Sequence, residues 1–400
     1  MKNKLTLVLV FSLVLMLPLS GCWNRREPEE LAVVVGAGFD KSEKNGEWKV
    51  IALIANFLAA GGGEGNGSNN GNNNGTQSIV VREATGRSIY DAGKNLHTIS
   101  TREIDYHHVE ILFFSEELAR EGLAPILDFL DRERQFRLIA RPFVVDGDVR
   151  KAAEADFPME EITTSGINRM LRFSIEQLSE SADIRLRHVF IRLAQPGWEL
   201  VLPRIQVLEN ENGESKEEPL RLSGLAAFRK DRMIGWLDEK ETRGFMLISG
   251  LARRINYVID SPPPLEKDFT VEIFESSARQ SARIENGEVT ITVDVVVDGR
   301  IQETTSHEEW LSAQSELTES LDRRLAQAVR NDMEASLEKA QQELQTDIYG
   351  FGNLIYRTMP DEWENLEEKW DQLYPGVKVE LRVDANVRRT GLIKDPIKIR

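Results

Sequence analysis

Leu31-Ala32-Val33-Val34-Val35-Gly36-Ala37-Gly38-Phe39-Asp40 is an almost unbroken apolar run that ends on an acid. A stretch this short, with three successive valines at 33–35, reads as a buried strand. Its continuation, Trp48-Lys49-Val50-Ile51-Ala52-Leu53-Ile54-Ala55-Asn56-Phe57, reads as a hairpin partner reached across Lys44-Asn45-Gly46. The residues from Gly61 to Gly75 are nearly all Gly, Asn or Ser. They offer no side chains to bury and a high ordering entropy, so a mobile loop is expected there. No Lys-Ser/Thr follows these glycines, which argues against a phosphate cradle.

Moving outward, a strand is expected to resume at Ser78 to Arg82, with Thr85 as N-cap of a helix from Gly86 to Leu96. Val109 to Phe114 reads as a buried strand, Glu116 to Leu130 as one helix, and Phe143 to Val145 as a strand leading into a helix from Asp148. Strands alternating with helices imply α+β or α/β layers. A helical pattern returns from Thr163 to Glu180. Leu220 to Phe228, Met233 to Leu237 and Gly244 to Ile248 read as strands joined by turns at Lys230-Asp231 and Asp238-Glu239.

Ser261-Pro262-Pro263-Pro264 is the best linker in the chain, since three successive prolines continue neither a helix nor a central strand. Beyond it, Phe269 to Ser276, Ser281 to Ile284, Val289 to Val297 and Val377 to Val387 read as strands. Between Glu308 and Ile348, Leu317, Leu321, Leu325, Val329, Met333, Leu337, Ala340 and Leu344 form one apolar stripe among charges of both signs. That pattern predicts a long helix packed on a sheet. The divisions expected are an N-terminal domain over 31–160, a middle domain over 161–260 and a C-terminal domain over 265–400.

The first residues carry a different signal. Met1-Lys2-Asn3-Lys4 has two cations and no acid, and the apolar run from Leu5 to Leu19 falls short of the roughly 20 residues of a comfortable membrane span. The run closes on Leu19-Ser20-Gly21-Cys22, a lipobox. Residues 1–21 are therefore expected to be a cleaved lipoprotein signal peptide. Cys22 becomes the lipid-bearing N-terminus, carrying a diacylglycerol with or without a further N-acyl chain, and residues 22–30 form a short tether. Two acyl chains hold a protein stably at a membrane where one only visits it.

Cys22 is the only cysteine, so no disulfide, zinc site or catalytic thiol can form elsewhere. Taking Lys2 and Lys4 from the 50 cations leaves 48 against 66 acids, a mature net charge of −18. So acidic a surface repels nucleic acid and anionic headgroups, and attachment is expected to come from the lipid.

Catalytic chemistry finds no residues to stand on. The five histidines, His97, His107, His108, His188 and His307, include no i, i+4 pair, and His107 and His108 on an extended segment point to opposite faces. Acid pairs such as Glu116-Glu117, Glu160-Glu161 and Glu239 with Glu241 are what chance places in an acidic chain. No Gly-x-Ser-x-Gly elbow, Walker motif or Gly-x-Gly-x-x-Gly occurs between a strand and a helix. No cofactor is expected.

The order of several blocks resembles the Ger(x)C (GerAC-like) lipoproteins, the C subunits of spore germinant receptors. The resemblance begins at Gly21-Cys22-Trp23-Asn24-Arg25-Arg26-Glu27 and continues through Gly86-Arg87-Ser88-Ile89-Tyr90-Asp91-Ala92 and His108 to Gly122. It includes Gly224 to Leu237, Glu241-Thr242-Arg243-Gly244, and Asp347-Ile348-Tyr349-Gly350-Phe351-Gly352 with Trp363, Trp370, Tyr374 and Pro375. His107, where the family pattern usually has Gly, and the long Gly/Asn loop depart from that pattern.

The resemblance implies three α+β domains, each a sheet with helices. It also implies no catalytic activity and a receptor complex with a large A subunit and a polytopic B subunit. The place implied is the spore inner membrane, with the lipid on the outer face of the cytoplasmic membrane. Within that reading Gly235, Trp236, Leu237 and Phe351 are candidate partner contacts, although turn and core packing is the favoured explanation of such residues. The rival reading is a solute-binding lipoprotein that captures a germinant or nutrient in a cleft between domains.

Overall fold

The structure, a computed structural model, describes residues 30–42, 46–56, 78–157, 159–160, 162–209, 215–260, 268–304 and 314–389. The signal peptide, the lipobox, the Gly/Asn loop and the Ser261 to Pro264 linker lie outside them.

β1 (Leu31–Lys41) and β2 (Trp48–Ala55) pair antiparallel as expected, and β3 (Ile79–Gly86) adds to β2. Thr85 is part of that strand, so it caps nothing. The following helix, α1 (Ile89–Asn95), starts later because the Ser88 hydroxyl accepts the Asp91 N–H. A 3₁₀ turn (Leu96–Ile99) leads to β4 (Glu103–Asp105), which runs parallel to the start of β1. β5 (Ile111–Ser115) pairs parallel to β1.

The single helix expected over 116–130 is two, α2 (Glu116–Glu121) and α3 (Ala124–Arg132). They are broken where Gly122 takes a φ of 128° and Pro125 opens the next turn. β6 (Arg141–Asp146) pairs parallel to β5, and Asp148 caps α4 (Val149–Ala153) as expected. α5 (Thr163–Phe173) and α6 (Leu186–Ala194) precede β7 (Val201–Glu209).

β5 shows why this sheet is a central layer. All five of its residues are buried. Leu112 and Phe114 belong to a core shared with α1, α2 and α3, while Ile111 and Phe113 belong to a second core with α4 and α5. A strand covered on both faces is uniformly apolar.

β8 (Ser215–Arg221), β9 (Leu225–Arg229) and β10 (Arg232–Leu237) complete a ten-stranded sheet, in the order β10-β9-β7-β6-β5-β1-β2-β3 with β4 and β8 attached to β1 and β7. The strand expected over 220–228 is broken at Gly224, whose φ is 92°. β7 changes partner along its length. Val201 to Pro203 pair antiparallel with β9, and Arg204 to Gln206 pair parallel with β6.

The expectation of a separate sheet in each of three domains is corrected by this pairing. The first sheet crosses the 160/161 division without a break, because β7 is shared by both sides. The described residues form two sheets.

Gly244 to Ile248, read as a strand, is the second half of helix α7 (Glu239–Ile248). Asp238 and Glu241 form a capping box, so the expected Asp238-Glu239 turn is a helix start. The second sheet has the order β11-β12-β13-β14, from β11 (Ile255–Asp260), β12 (Asp268–Glu285), β13 (Glu288–Thr304) and β14 (Lys378–Arg389). The two runs read as separate strands at 269–276 and 281–284 are one long strand. Helix α8 (Gln314–Glu338) packs on this sheet with Leu321, Leu325, Val329, Met333 and Leu337 buried, as the stripe predicts.

Candidate functional site

Cys22, Leu19, Ser20 and Gly21 fall outside the described residues, and the described chain enters the fold at Glu30, just before β1. The four residues offered as partner contacts are inside it. Leu237 and Phe351 are completely buried, so neither reaches a partner surface. Phe351 stacks on Tyr349 at 5.1 Å between ring centres. Gly235 lies at a register shift in β10, where a Cβ would come within 2.6 Å of a Leu344 methyl. Trp236 is half-buried, donates from Nε1 to Glu116 at 3.2 Å, and is covered by the Arg204 guanidinium 4.9 Å from its ring. Arg204 in turn pairs with Asp146. Core packing takes up Leu237 and Phe351, while Gly235 and Trp236 on β10 are only partly buried.

The junction between the two sheets holds the structure's densest polar work. Asp347, at the start of the Asp-Ile-Tyr-Gly-Phe-Gly block, is buried with both carboxylate oxygens engaged. Oδ1 accepts the Gly350 and Phe351 N–H groups at 2.9 and 3.1 Å. Oδ2 accepts the Gly352 N–H at 2.8 Å and Trp370 Nε1 at 3.0 Å. Burial pushes its pKa up to about 7 against the pull of these four donors.

The turn is possible because Gly350 takes a φ of 75° and because Gly352 abuts Gly197, where any Cβ would collide with Trp370. It is stitched to the first sheet. Glu199 N–H donates to the Asp347 carbonyl and Asn353 N–H to the Gly197 carbonyl, while Thr346 Oγ1 donates to the Phe228 carbonyl. Arg229 donates to the carbonyls of Leu344 and Gln345, both at 2.9 Å.

A second lock joins α7, α8 and β11. Asp332, buried on α8, accepts Arg243 Nε at 2.9 Å and the Tyr257 hydroxyl at 2.8 Å, and Arg243 also reaches Glu180 at 3.4 Å. These groups are mutually satisfied inside the protein, which is the arrangement of a structural pin.

A cavity of about 40 Å³ lies within the N-terminal half, walled by Phe39, Phe129 and Phe136. The Tyr106 hydroxyl at its lining has no hydrogen-bond partner, and burial together with nearby Glu133 holds its pKa far above the ordinary value. A broader depression of about 470 Å³ adjoins it at Ile89, Tyr90, Phe129 and Glu133. Both lie inside the N-terminal half and not between the two sheets. His107 pairs with Asp105, and no grouping of His, Cys, Asp and Glu able to hold a metal occurs among the described residues. No helix of the described residues is long and apolar enough to cross a membrane.

Asp347, Asp332 and Arg243 were not singled out as functional residues from the sequence. The signal that marks Asp347 is local. An acid three to five residues before a Gly-x-Gly pair is placed to accept the N–H groups of the turn that follows.

The comparisons agree with this architecture. Residues 24–207 match the spore germination protein N-terminal domain, and residues 223–391 match the family described as spore germination B3/GerAC like, C-terminal. Spore germination protein KC of Bacillus subtilis (strain 168) is 26% identical over 408 residues, covering 98% of this chain and 97% of that one. Spore germination protein B3 of the same organism is 22% identical over 392 residues, covering 95% and 96%. The crystal structure of the GerBC protein shares the α+β fold, with a TM-score of 0.55 and 14% identity over 88% of this chain and 98% of that chain. The chain belongs to the GerAC-like family of spore germination proteins.

Proposed function

We propose that this chain is the lipid-anchored, non-catalytic C subunit of a nutrient germinant receptor, acting with A and B membrane subunits at the spore inner membrane. The observation that carries the reading is the match, along nearly the whole chain, to proteins named for spore germination, including KC and B3. The lipobox at Leu19-Ser20-Gly21-Cys22 supports the anchor, and the two sheets pinned through Asp347 and Asp332 support a rigid interaction body.

The test is Cys22→Ala in sporulating cells. The expected outcome is loss of the protein from the inner-membrane fraction together with loss of nutrient-triggered germination. A variant that stays in the membrane fraction and germinates normally would refute the anchored role.

A further inference from the structure

Phe39 of β1, Phe129 of α3, Phe136 and Tyr106 form a chain of rings in the N-terminal half. Phe39 and Phe136 each meet the Phe129 ring edge-on, at 6.5 and 5.9 Å between centres, and Tyr106 lies 5.2 Å from Phe136. Rings packed this way normally close on one another. Here they leave the cavity of about 40 Å³, room for about three waters, and it adjoins the depression of about 470 Å³ beside Tyr90.

Two features mark the cavity as more than a packing fault. The Tyr106 hydroxyl is buried at its lining without a hydrogen-bond partner, although the same residue's N–H is satisfied by Gln135 Oε1 at 3.0 Å. A buried hydroxyl left so is the exception in folded proteins and calls for an occupant that can bond to it. The second feature is Gly93, on α1. A Cβ there would meet a single neighbour, the Tyr106 hydroxyl, at the ordinary contact distance of 3.7 Å. Alanine therefore fits and is the better helix former, and the glycine keeps clear the space in front of that hydroxyl.

Polarity is sorted by depth. Phe39 and Phe136 are buried, and the Tyr106 hydroxyl is the polar group among the rings. Lys94 and His97 are exposed at the lining, with Lys94 Nζ 5.2 Å over the Tyr90 ring, and half-buried Glu133 lies where cavity and depression meet. In the depression Asp128 and Arg132 pair with each other at 2.9 Å. Lys94 and Glu133 offset one another, so the charged rim selects neither sign. A charged group drawn in among the rings would lose its water and gain only a neutral hydroxyl.

We propose that this cavity is a binding site for a small uncharged amphiphile, an aromatic ring or branched alkyl group carrying one hydroxyl. The apolar body seats among the phenylalanines, and its oxygen exchanges a hydrogen bond with the Tyr106 hydroxyl, which can donate or accept. The site lies within the N-terminal half, apart from any cleft between the two sheets, and does not depend on the anchored reading.

The test is fluorine NMR of p-fluorobenzyl alcohol added to the full lipidated chain in lipid nanodiscs, with protein-free nanodiscs at the same lipid concentration as the baseline. The expected result is a saturable, protein-dependent shift of the probe at millimolar concentration, reversed by excess benzyl alcohol and not by benzylamine or benzoate. Tyr106→Phe should weaken binding about fivefold, the factor of one neutral hydrogen bond, and Gly93→Ala should weaken it as much by occupying the space before the hydroxyl. Neither variant breaks a hydrogen bond within the protein, so both should unfold at or above the temperature of the unaltered chain.

A probe that shows no protein-dependent signal means that the cavity takes water alone, and the proposal falls. Saturable binding that survives both variants lies elsewhere and overturns it equally. Displacement by benzylamine or benzoate ahead of benzyl alcohol overturns the uncharged class. None of these outcomes touches the lipid anchor, whose own test is Cys22→Ala.

Discussion

Gly244 lies where α7 crosses α8, and replacing it by alanine sets two effects of opposite sign against each other. Helix propensity alone predicts that Gly244→Ala stabilises α7 by about 1 kcal/mol. Packing predicts the reverse. A Cβ at this position would overlap the Asp332 carbonyl oxygen and come within 2.7 Å of the Ser336 Cβ, where ordinary contact begins at 3.4 Å. Backbone cannot yield as the end of a flexible side chain does, so the helices must part. Forced separation of a well-packed contact costs about 1–3 kcal/mol.

The same separation stretches the bonds from Arg243 and Tyr257 to the buried Asp332 carboxylate, and a hydrogen bond to a charged group contributes about 1.5–3 kcal/mol. The packing terms outweigh propensity, and a net loss of about 2–4 kcal/mol is expected. Urea unfolding followed by circular dichroism should show the midpoint falling by about 1 M for an m-value near 3 kcal/mol/M. An unchanged or raised midpoint would show that the helices part without cost and would refute the account of this crossing.

Two further outcomes follow from the junction. Asp347 has a folded-state pKa near 7 against 3.8 for the free group, so its stabilising contribution is complete below about pH 4 and is lost as pH rises through 7. Over that window it should amount to about 4 kcal/mol. Asp347→Asn should remove that part of the pH dependence of unfolding, and identical pH profiles for the two proteins would contradict it. Phe351→Ala should destabilise the isolated chain by about 3–5 kcal/mol in thermal unfolding, because the ring is fully buried. A residue that met only a partner would leave the isolated chain's stability unchanged.

Much of the layout was legible from periodicity. The paired strands at 31–41 and 48–55, the short buried runs of β5 and β6, the Asp148 cap and the stripe of α8 all carry one clear period or a bounded apolar run. The misread elements share a physical cause. Phe245 to Ile248 are all buried, so the second half of α7 shows no polar face, and a short run covered all round resembles a buried strand. Only the Asp238–Glu241 capping box distinguishes the two.

Helix α6 went unread because Arg185 precedes it, and its first turn is closed by the His188 ring accepting the Arg185 N–H instead of by a Ser, Thr, Asp or Asn cap. Trp236, Leu237 and Phe351 were legible as aromatic and apolar landmarks. Core packing is what their residue types favour, but their particular neighbours are not legible where these lie far along the chain, as Glu116 does from Trp236.

The place of β1 in the first sheet has a mechanical meaning. β1 is hydrogen-bonded on one side to β2 and on the other to β5, and Glu30, on the side of the proposed anchor, directly precedes its first residue. Tension from that side acts along the axis of an interior strand, so the bonds to both neighbours share the load and must give way together. An edge strand drawn sideways would open one bond at a time. With residues 22–29 anchored as proposed, a pull from the membrane would reach the body whole instead of peeling it from an edge.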